Sequence, residues 1–310
     1  MRRFLALARS AALEALAEPL SAVLLLVALM TVHLAPVFHF HAFGEPGRLA
    51  RECGFSALLM FGLVFATASA VRAIGGEIAS GTAAVALARP VPRPLFFCAK
   101  ICGVGAAYAL FLFAVAGATV LATFSSAVGA EAAERTGASR LWLPGLAGGA
   151  CLTLGAFALA ALANRFLRTR FCVWACLLLA AAQPVAVCAA AACGDAGFVA
   201  ALSGMPWAIV PAQVVLAVGC GVFIVFAGAL AVRLKPAPTA ALVVGAVCSS
   251  FVWPIRALFP EIGRFWLVDA LADGGSPAWA DVLPAVGGAM ALTAFWLFVG
   301  SALLQGRELP

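Results

Sequence analysis

Residues 207–232 read WAIVPAQVVLAVGCGVFIVFAGALAV, an apolar run that contains no charged side chain. A helix needs about 20 apolar residues to cross the hydrocarbon core of a bilayer, so this run is long enough for one span. The whole chain has a similar character, since 65% of its 310 residues are hydrophobic and only 10% are charged. Soluble domains carry about 25% charged residues. We therefore predict an all-α, polytopic integral membrane protein with a single transmembrane domain, residues 1–310.

About eight hydrophobic segments can be recognised along the chain. We predict that each forms a transmembrane helix, over residues 19–38, 54–73, 97–124, 144–163, 171–193, 207–232, 239–259 and 283–304. The seventh is the weakest, because Pro254 and Arg256 interrupt it. The part before Pro254 would reach only about 22 Å as a helix, which suits a broken or re-entrant segment.

Three regions outside the predicted spans have a distinct character. Residues 1–17 alternate apolar and polar side chains with a helical period, which is typical of an interfacial helix lying along the membrane. Residues 74–96 are predicted to be a cytoplasmic segment, and residues 260–282 an outer loop.

The charge distribution predicts the orientation of the chain. With eight spans and both termini in the cytoplasm, 13 of the 19 Lys and Arg residues lie inside and 9 of the 13 acidic residues lie outside. Short cytoplasmic loops carry such an excess of basic residues. The basic residues form no patch interleaved with aromatic residues, so no nucleic-acid partner is expected. Short loops and basic inner turns fit a bacterial inner membrane.

The sequence argues against several energy sources. Charged residues are absent from the middle of every predicted span, which disfavours transport coupled to protons or sodium. The two lysines, Lys100 and Lys235, do not follow a glycine, so the chain has no phosphate-binding loop of its own. Nucleotide-driven work would require a separate subunit.

The segment between the second and third spans differs from an ordinary loop. Its residues 77–96 read EIASGTAAVALARPVPRPLF, apolar in the middle but interrupted by Gly81 and three prolines. Glu77, Arg89 and Arg93 would each cost about 2.5–3.5 kcal/mol at the centre of a membrane helix, so the segment is expected outside the hydrocarbon. We predict a short helix over residues 77–88, with an apolar face of Ile78, Val85 and Leu87 that another protein would cover.

This segment resembles a block found in ABC transporter permeases of the type-2 exporter class. The resemblance rests on Glu77, Gly81-Thr82, Leu87-Ala88-Arg89-Pro90-Val91 and Arg93, followed by Lys100 and Gly103. A second similarity covers Leu258-Phe259-Pro260, residues 265–271 and the end of the last span. The chain departs from the family in having about eight hydrophobic segments instead of six, and in Ala99 where a glycine often precedes the lysine.

The resemblance implies a transport subunit that performs no bond chemistry. ATP would bind to a cytoplasmic ATP-binding cassette subunit, and this chain would bind no cofactor; a second permease copy or a paralogue would complete the complex. The residues implied to couple the chain to the ATPase are Glu77, Gly81, Thr82, Arg89, Pro90, Arg93 and Lys100. The substrate is not implied.

Two functions of other classes remain open at this point. One is a membrane-embedded lipid-modifying enzyme, using the outer carboxylates Asp269 and Asp273 or the pair His39 and His41. The other is a structural assembly subunit. The histidines, with His33 two turns earlier, fit an interfacial belt better than a metal site. The ten cysteines complete no zinc pattern and are expected to pack as small apolar residues.

Overall fold

A computed structural model of the chain describes residues 1–41, 45, 47–87, 91–136, 143–168, 170–193, 198–249, 262–274 and 279–307. Over these residues helices are the only regular secondary structure, which confirms the predicted all-α class. The α-helices are α1 Arg2–Ala17, α2 Pro19–Leu34, α3 Arg48–Ala79, α4 Thr82–Leu87, α5 Arg93–Thr136, α6 Leu143–Leu167, α7 Phe171–Ala192, α8 Phe198–Ser203, α9 Ile209–Ala231, α10 Pro236–Ser249 and α11 Trp279–Gln305. Short 3₁₀ helices are Ala35–His41, Ile262–Phe265 and Asp269–Gly274.

Seven helices in the described part of the chain are long and apolar enough to cross a membrane. They are Pro19–Phe38, Arg48–Ala79, Arg93–Arg135, Ala147–Phe166, Phe171–Ala192, Ile209–Ala231 and Val282–Gln305. All the predicted spans except the seventh overlap one of them. The predicted class, an integral membrane protein with several apolar helices, agrees with this architecture.

The predicted seventh span, residues 239–259, corresponds to the shorter helix α10. Its 14 residues extend about 21 Å, less than the roughly 30 Å of a hydrocarbon core. Residues 250–259 of the predicted span lie outside the described residues. The candidate spans of the described chain therefore number seven, against about eight hydrophobic segments in the sequence.

Helices α3 and α5 extend well beyond the apolar runs that predicted them. Helix α5 has 44 residues and is about 66 Å long, because Pro94 is tolerated in its first turn and no further proline follows. Helix α3 contains two wider π-helical turns, Leu58–Gly62 and Arg72–Gly76. Such turns accommodate an extra residue without ending a helix.

The helices pack around α5 and α9. Helix α1 lies along the beginning of α5, where Gly103 meets the backbone of Ala8 so closely that a Cβ atom would lie 2.2 Å from the Ala8 carbonyl oxygen. Helices α6 and α7 form an antiparallel hairpin. In the span-length windows of α6 and α11 only 17% and 11% of the residues are buried, so these two helices present most of their surface outward.

The described part of the predicted outer loop, residues 262–274, is packed against the helices. Phe265 fits against Gly219 of α9, and the Trp266 ring meets Phe55 of α3 edge to face with ring centroids 5.6 Å apart. Asp269 accepts a hydrogen bond from Arg48 at 3.1 Å. The buried Phe265 and the half-buried Trp266 thus fix these residues of the predicted outer loop to α9 and α3.

Candidate functional site

Those residues implied by the resemblance that the structure describes lie at one end of the bundle, which we call the basic end. It contains the end of α3, the helix α4 and the beginning of α5, together with α1 and the last turn of α11. Arg72, Arg93, Lys100 and Arg233 all have partners there. The opposite end of the bundle contains the Arg48–Asp269 pair.

Lys100 is the centre of this region and is only 1% exposed. It lies in the second turn of α5, and its ammonium group donates to Glu14 of α1 at 3.2 Å and to Glu77 of α3. Leaving a buried ammonium without a counter-charge costs several kcal/mol, so the two carboxylates are what make this burial possible. Through one side chain, Lys100 connects three helices.

Glu77 is followed directly by a sharp change of direction. Gly81 has a φ angle of +75°, a conformation that an L side chain rarely adopts, and Thr82 donates to the Glu77 carbonyl at 3.3 Å. The hydroxyl groups of Ser80 and Thr82 are also 2.9 Å apart. The predicted helix over residues 77–88 is therefore interrupted at Ser80-Gly81, and Glu77–Ala79 belong to α3 while α4 begins at Thr82.

Helix α4 is anchored on one side and open on the other. Ile78 and Ala83 belong to a buried apolar cluster with Phe96, Phe97 and Leu304. Val85 is 70% exposed, and Leu87 is half-buried. The predicted apolar face of Ile78, Val85 and Leu87 is thus divided, since Ile78 faces the protein and Val85 faces outward.

Arg93 has an internal role that the sequence did not indicate. Its guanidinium donates to the carbonyl oxygens of Leu304, Gln305 and Arg307 at 3.2, 2.6 and 3.1 Å. Arg233 donates to the carbonyl oxygens of Leu303 and Gly306 at 3.3 and 2.8 Å. The last carbonyls of a helix lack partners within it, so the two arginines together cap the end of α11. Arg89 and Pro90 lie outside the described residues.

Two further charged residues at the basic end were not among the predicted site residues. In the structure Glu14 pairs with Lys100, and Glu18 pairs with Arg72. A lysine so near the start of an apolar helix was the one signal in the sequence that a carboxylate partner was needed. It did not indicate which carboxylate.

A polar cluster lies deeper in the bundle, among α2, α6 and α7. The Gln183 amide group donates to the Thr153 hydroxyl at 3.3 Å and to the Leu179 carbonyl at 3.1 Å, which directs its oxygen toward His33 Nε2 at 3.1 Å. Nε2 of His33 must therefore carry the hydrogen in this pair. Gly149 packs against the His33 ring, where a Cβ atom would lie 2.7 Å from Nδ1. The cluster joins three helices by hydrogen bonds without any charged residue.

The residues considered for a lipid-modifying enzyme or for a metal site have fewer ion pairs and hydrogen bonds in the described structure than those at the basic end. Asp269 pairs with Arg48, and the side chains of Asp273, His39 and His41 lie outside the described part. Among the described residues no group of three or more His, Cys, Asp or Glu side chains is arranged to hold a metal ion. The pairs Cys98/Cys102 and Cys172/Cys176 are free thiols.

Comparisons of the chain with known protein families, curated proteins and solved structures find no match. The arrangement at the basic end is therefore interpreted from its own geometry.

Proposed function

We propose that this chain is the membrane-spanning permease subunit of an ATP-driven exporter. A separate ATP-binding cassette subunit would bind at the basic end and hydrolyse ATP in the cytoplasm of a bacterium, with the permease in its inner membrane. The observation that carries the proposal is the anchoring of α4, an exposed short helix outside the spans that is tied by Glu77 and Lys100 to three helices of the bundle.

The proposal includes an eighth crossing of the membrane. Arg233 contacts Gly306 at the basic end, whereas Asp269 contacts Arg48 at the opposite end. The chain between residues 233 and 269 therefore joins the two ends of the bundle. Counting this segment with the seven candidate spans gives an even number of crossings, and both termini are then cytoplasmic.

The contacts around α4 offer a path for mechanical coupling. Helix α3 runs without interruption to Ala79, Lys100 links Glu77 to α5 and α1, and Ile78 packs in the cluster that contains Leu304 of α11. A displacement of α4 by an ATPase would move the ends of these helices together. Through this path, closure of an ATPase dimer would change the accessibility of the transport pathway.

The proposed complex also contains a second permease, either another copy of this chain or a paralogue. Helices α6 and α11 leave most of their surface uncovered, so either helix offers room for a second subunit within the membrane. Asp269, one of the carboxylates considered for a lipid-modifying enzyme, is paired with Arg48, which does not favour that alternative.

The test uses a change at the exposed surface of α4. Val85→Glu places a charge at the proposed ATPase contact, and because Val85 is 70% exposed the fold should be unaffected. We expect the tagged wild-type chain to copurify from native membranes with an ATPase that has a phosphate-binding loop, and we expect Val85→Glu to lose it. Mass spectrometry identifies the subunit, and ATP hydrolysis by the purified complex measures its activity.

A matched control is available at the opposite end of the bundle. Val199 of α8 is 78% exposed, and Val199→Glu makes the same chemical change far from α4. This variant should retain the ATPase and its full activity. If the wild-type chain purifies with no ATPase, or if both variants behave alike, the proposed function is wrong.

A further inference from the structure

A large groove opens between α1, α2, α3 and α10 near the basic end. Its volume is about 1230 Å³, more than the roughly 300–1,000 Å³ of a typical small-molecule pocket. Most of its lining is apolar and belongs to α3 and α10. Met60, Val64 and Val244 line it and are 66%, 50% and 62% exposed, so the rest of the protein does not cover these walls.

The groove ends in a group of charged and polar side chains. These are Glu14, Glu18, Arg72, Glu77, Ser80 and Arg170. Long apolar walls with a charged end match an amphiphile whose chains lie within the membrane and whose headgroup lies at its surface.

The balance of charges at this end identifies the headgroup. Glu18 and Arg72 neutralise each other. Lys100 lies between Glu14 and Glu77, which leaves one carboxylate charge uncompensated. Arg170 is exposed and forms no ion pair with any residue that the structure describes. The end of the groove therefore offers one surplus negative charge and one surplus positive charge.

We propose that the groove binds a diacyl phospholipid with a zwitterionic headgroup. Arg170 contacts the phosphate, to which a guanidinium can donate two parallel hydrogen bonds. Glu14, whose side chain is 51% exposed, accepts from the ammonium group. The acyl chains lie along Met60, Val64 and Val244. This site is independent of the proposed transport function, because it is defined by lipid binding alone.

The experiment measures lipid binding to the full chain. Native mass spectrometry of the purified protein in detergent follows titration with three probes, namely phosphatidylethanolamine, phosphatidylglycerol and diacylglycerol. We expect phosphatidylethanolamine to bind about tenfold more tightly than phosphatidylglycerol, which lacks the ammonium group and therefore one charge-assisted hydrogen bond. Diacylglycerol, which also lacks the phosphate, should bind more weakly still. Equal binding of all three, or a preference for phosphatidylglycerol, would overturn the proposal.

Two variants connect the binding to the groove. Val244→Trp fills it from an exposed position and should lower phosphatidylethanolamine binding at least tenfold. Met290→Trp is the control, because Met290 is similarly exposed, at 64%, but lies on α11 away from the groove. Both variants change exposed side chains, so both should fold, which gel filtration checks. Equal lipid binding by the two variants would contradict the proposal.

The charged end is tested separately. Arg170→Gln should weaken phosphatidylethanolamine and phosphatidylglycerol to the same extent, since both have a phosphate, while Arg165→Gln, a neighbouring exposed arginine outside the groove, should change neither. If Val244→Trp instead abolishes self-association of the chain and leaves lipid binding intact, a second copy occupies the groove and the proposal is wrong.

Discussion

A charged ammonium group that has no contact with water needs a carboxylate beside it to be stable in a protein. Lys100 has two such carboxylates, Glu14 and Glu77. The two partners are not equivalent. The Glu77 side chain is 21% exposed, whereas that of Glu14 is 51% exposed. Exposed ion pairs contribute less than about 1 kcal/mol, so Glu77 contributes most of the compensation.

We predict that Lys100→Met destabilises the protein strongly. Met has a similar length but no charge, so Glu77 would be left partly buried without a counter-charge. Breaking a buried ion pair in this way costs about 3–5 kcal/mol. Thermal unfolding in detergent should show a clearly lower midpoint.

The double variant Lys100→Met/Glu77→Gln serves as the control. Removing both charges removes the unpaired carboxylate, so this variant should recover part of the lost stability. Glu14→Gln alone should have a small effect. If the single and double variants unfold at the same temperature, the Lys100–Glu77 pair is not what stabilises this region.

The partners of Lys100 illustrate the limit of sequence reasoning at the residue scale. Glu77 and Lys100 were both predicted site residues, but nothing in their spacing indicated that they form a pair. Glu14 is 86 positions from Lys100, and the Leu304 carbonyl is 211 positions from Arg93. Contacts over such distances depend on how the helices pack, which the hydrophobic pattern of one segment does not determine.

At the scale of an element, the attachment of α1 depends on a glycine. Gly103 allows the backbones of α1 and α5 to touch at Ala8. We predict that Gly103→Ala separates these helices and lowers the thermal stability in detergent, because its Cβ atom would overlap a backbone oxygen that cannot move aside. Overpacking of this kind costs about 1–3 kcal/mol.

Gly105 provides a matched control two residues along the same helix. A Cβ atom there would meet nothing within 4 Å. Gly105→Ala should therefore be neutral or slightly stabilising, since alanine favours a helix by about 1 kcal/mol relative to glycine. Equal loss of stability in both variants would contradict a specific role of the contact with α1, because helix propensity favours alanine at both positions.

The hydrophobic pattern predicted correctly that these segments are helices, but it predicted their lengths less well. Long apolar runs such as residues 207–232 can only be buried or placed in lipid, so the helices follow directly from them. The pattern does not predict where a helix ends, because α5 continues beyond its apolar run as far as Thr136, through a segment of ordinary polarity. The break at Ser80-Gly81 depends on the backbone of Gly81, whereas the prediction had placed the end of that helix beside Pro90.

For the whole molecule, the number of crossings is the property that the helices alone leave undetermined. The proposed eighth crossing would place both termini on one side of the membrane, and seven crossings would place them on opposite sides. We predict that a fluorescent protein, which matures in the cytoplasm, is bright when fused to either end of the chain. Alkaline phosphatase, which is active only outside, should be inactive at both ends.

A reporter inserted in the α5–α6 connection, directly after Thr136, serves as a positive control and should report the outer side. It should be active as alkaline phosphatase and dark as the fluorescent protein. Termini that report opposite sides would contradict the proposed eighth crossing between residues 233 and 269.

The cap formed by Arg93 and Arg233 has a consequence for biogenesis. The ribosome makes both arginines long before residues 303–307, whose carbonyl oxygens they bind. During synthesis these guanidinium groups lack those acceptors, and they gain them only when the last helix has entered the membrane. A nascent chain that stops short of Leu303 is therefore left with an unfinished basic end, a recognisable defect for the proteases that survey newly made membrane proteins.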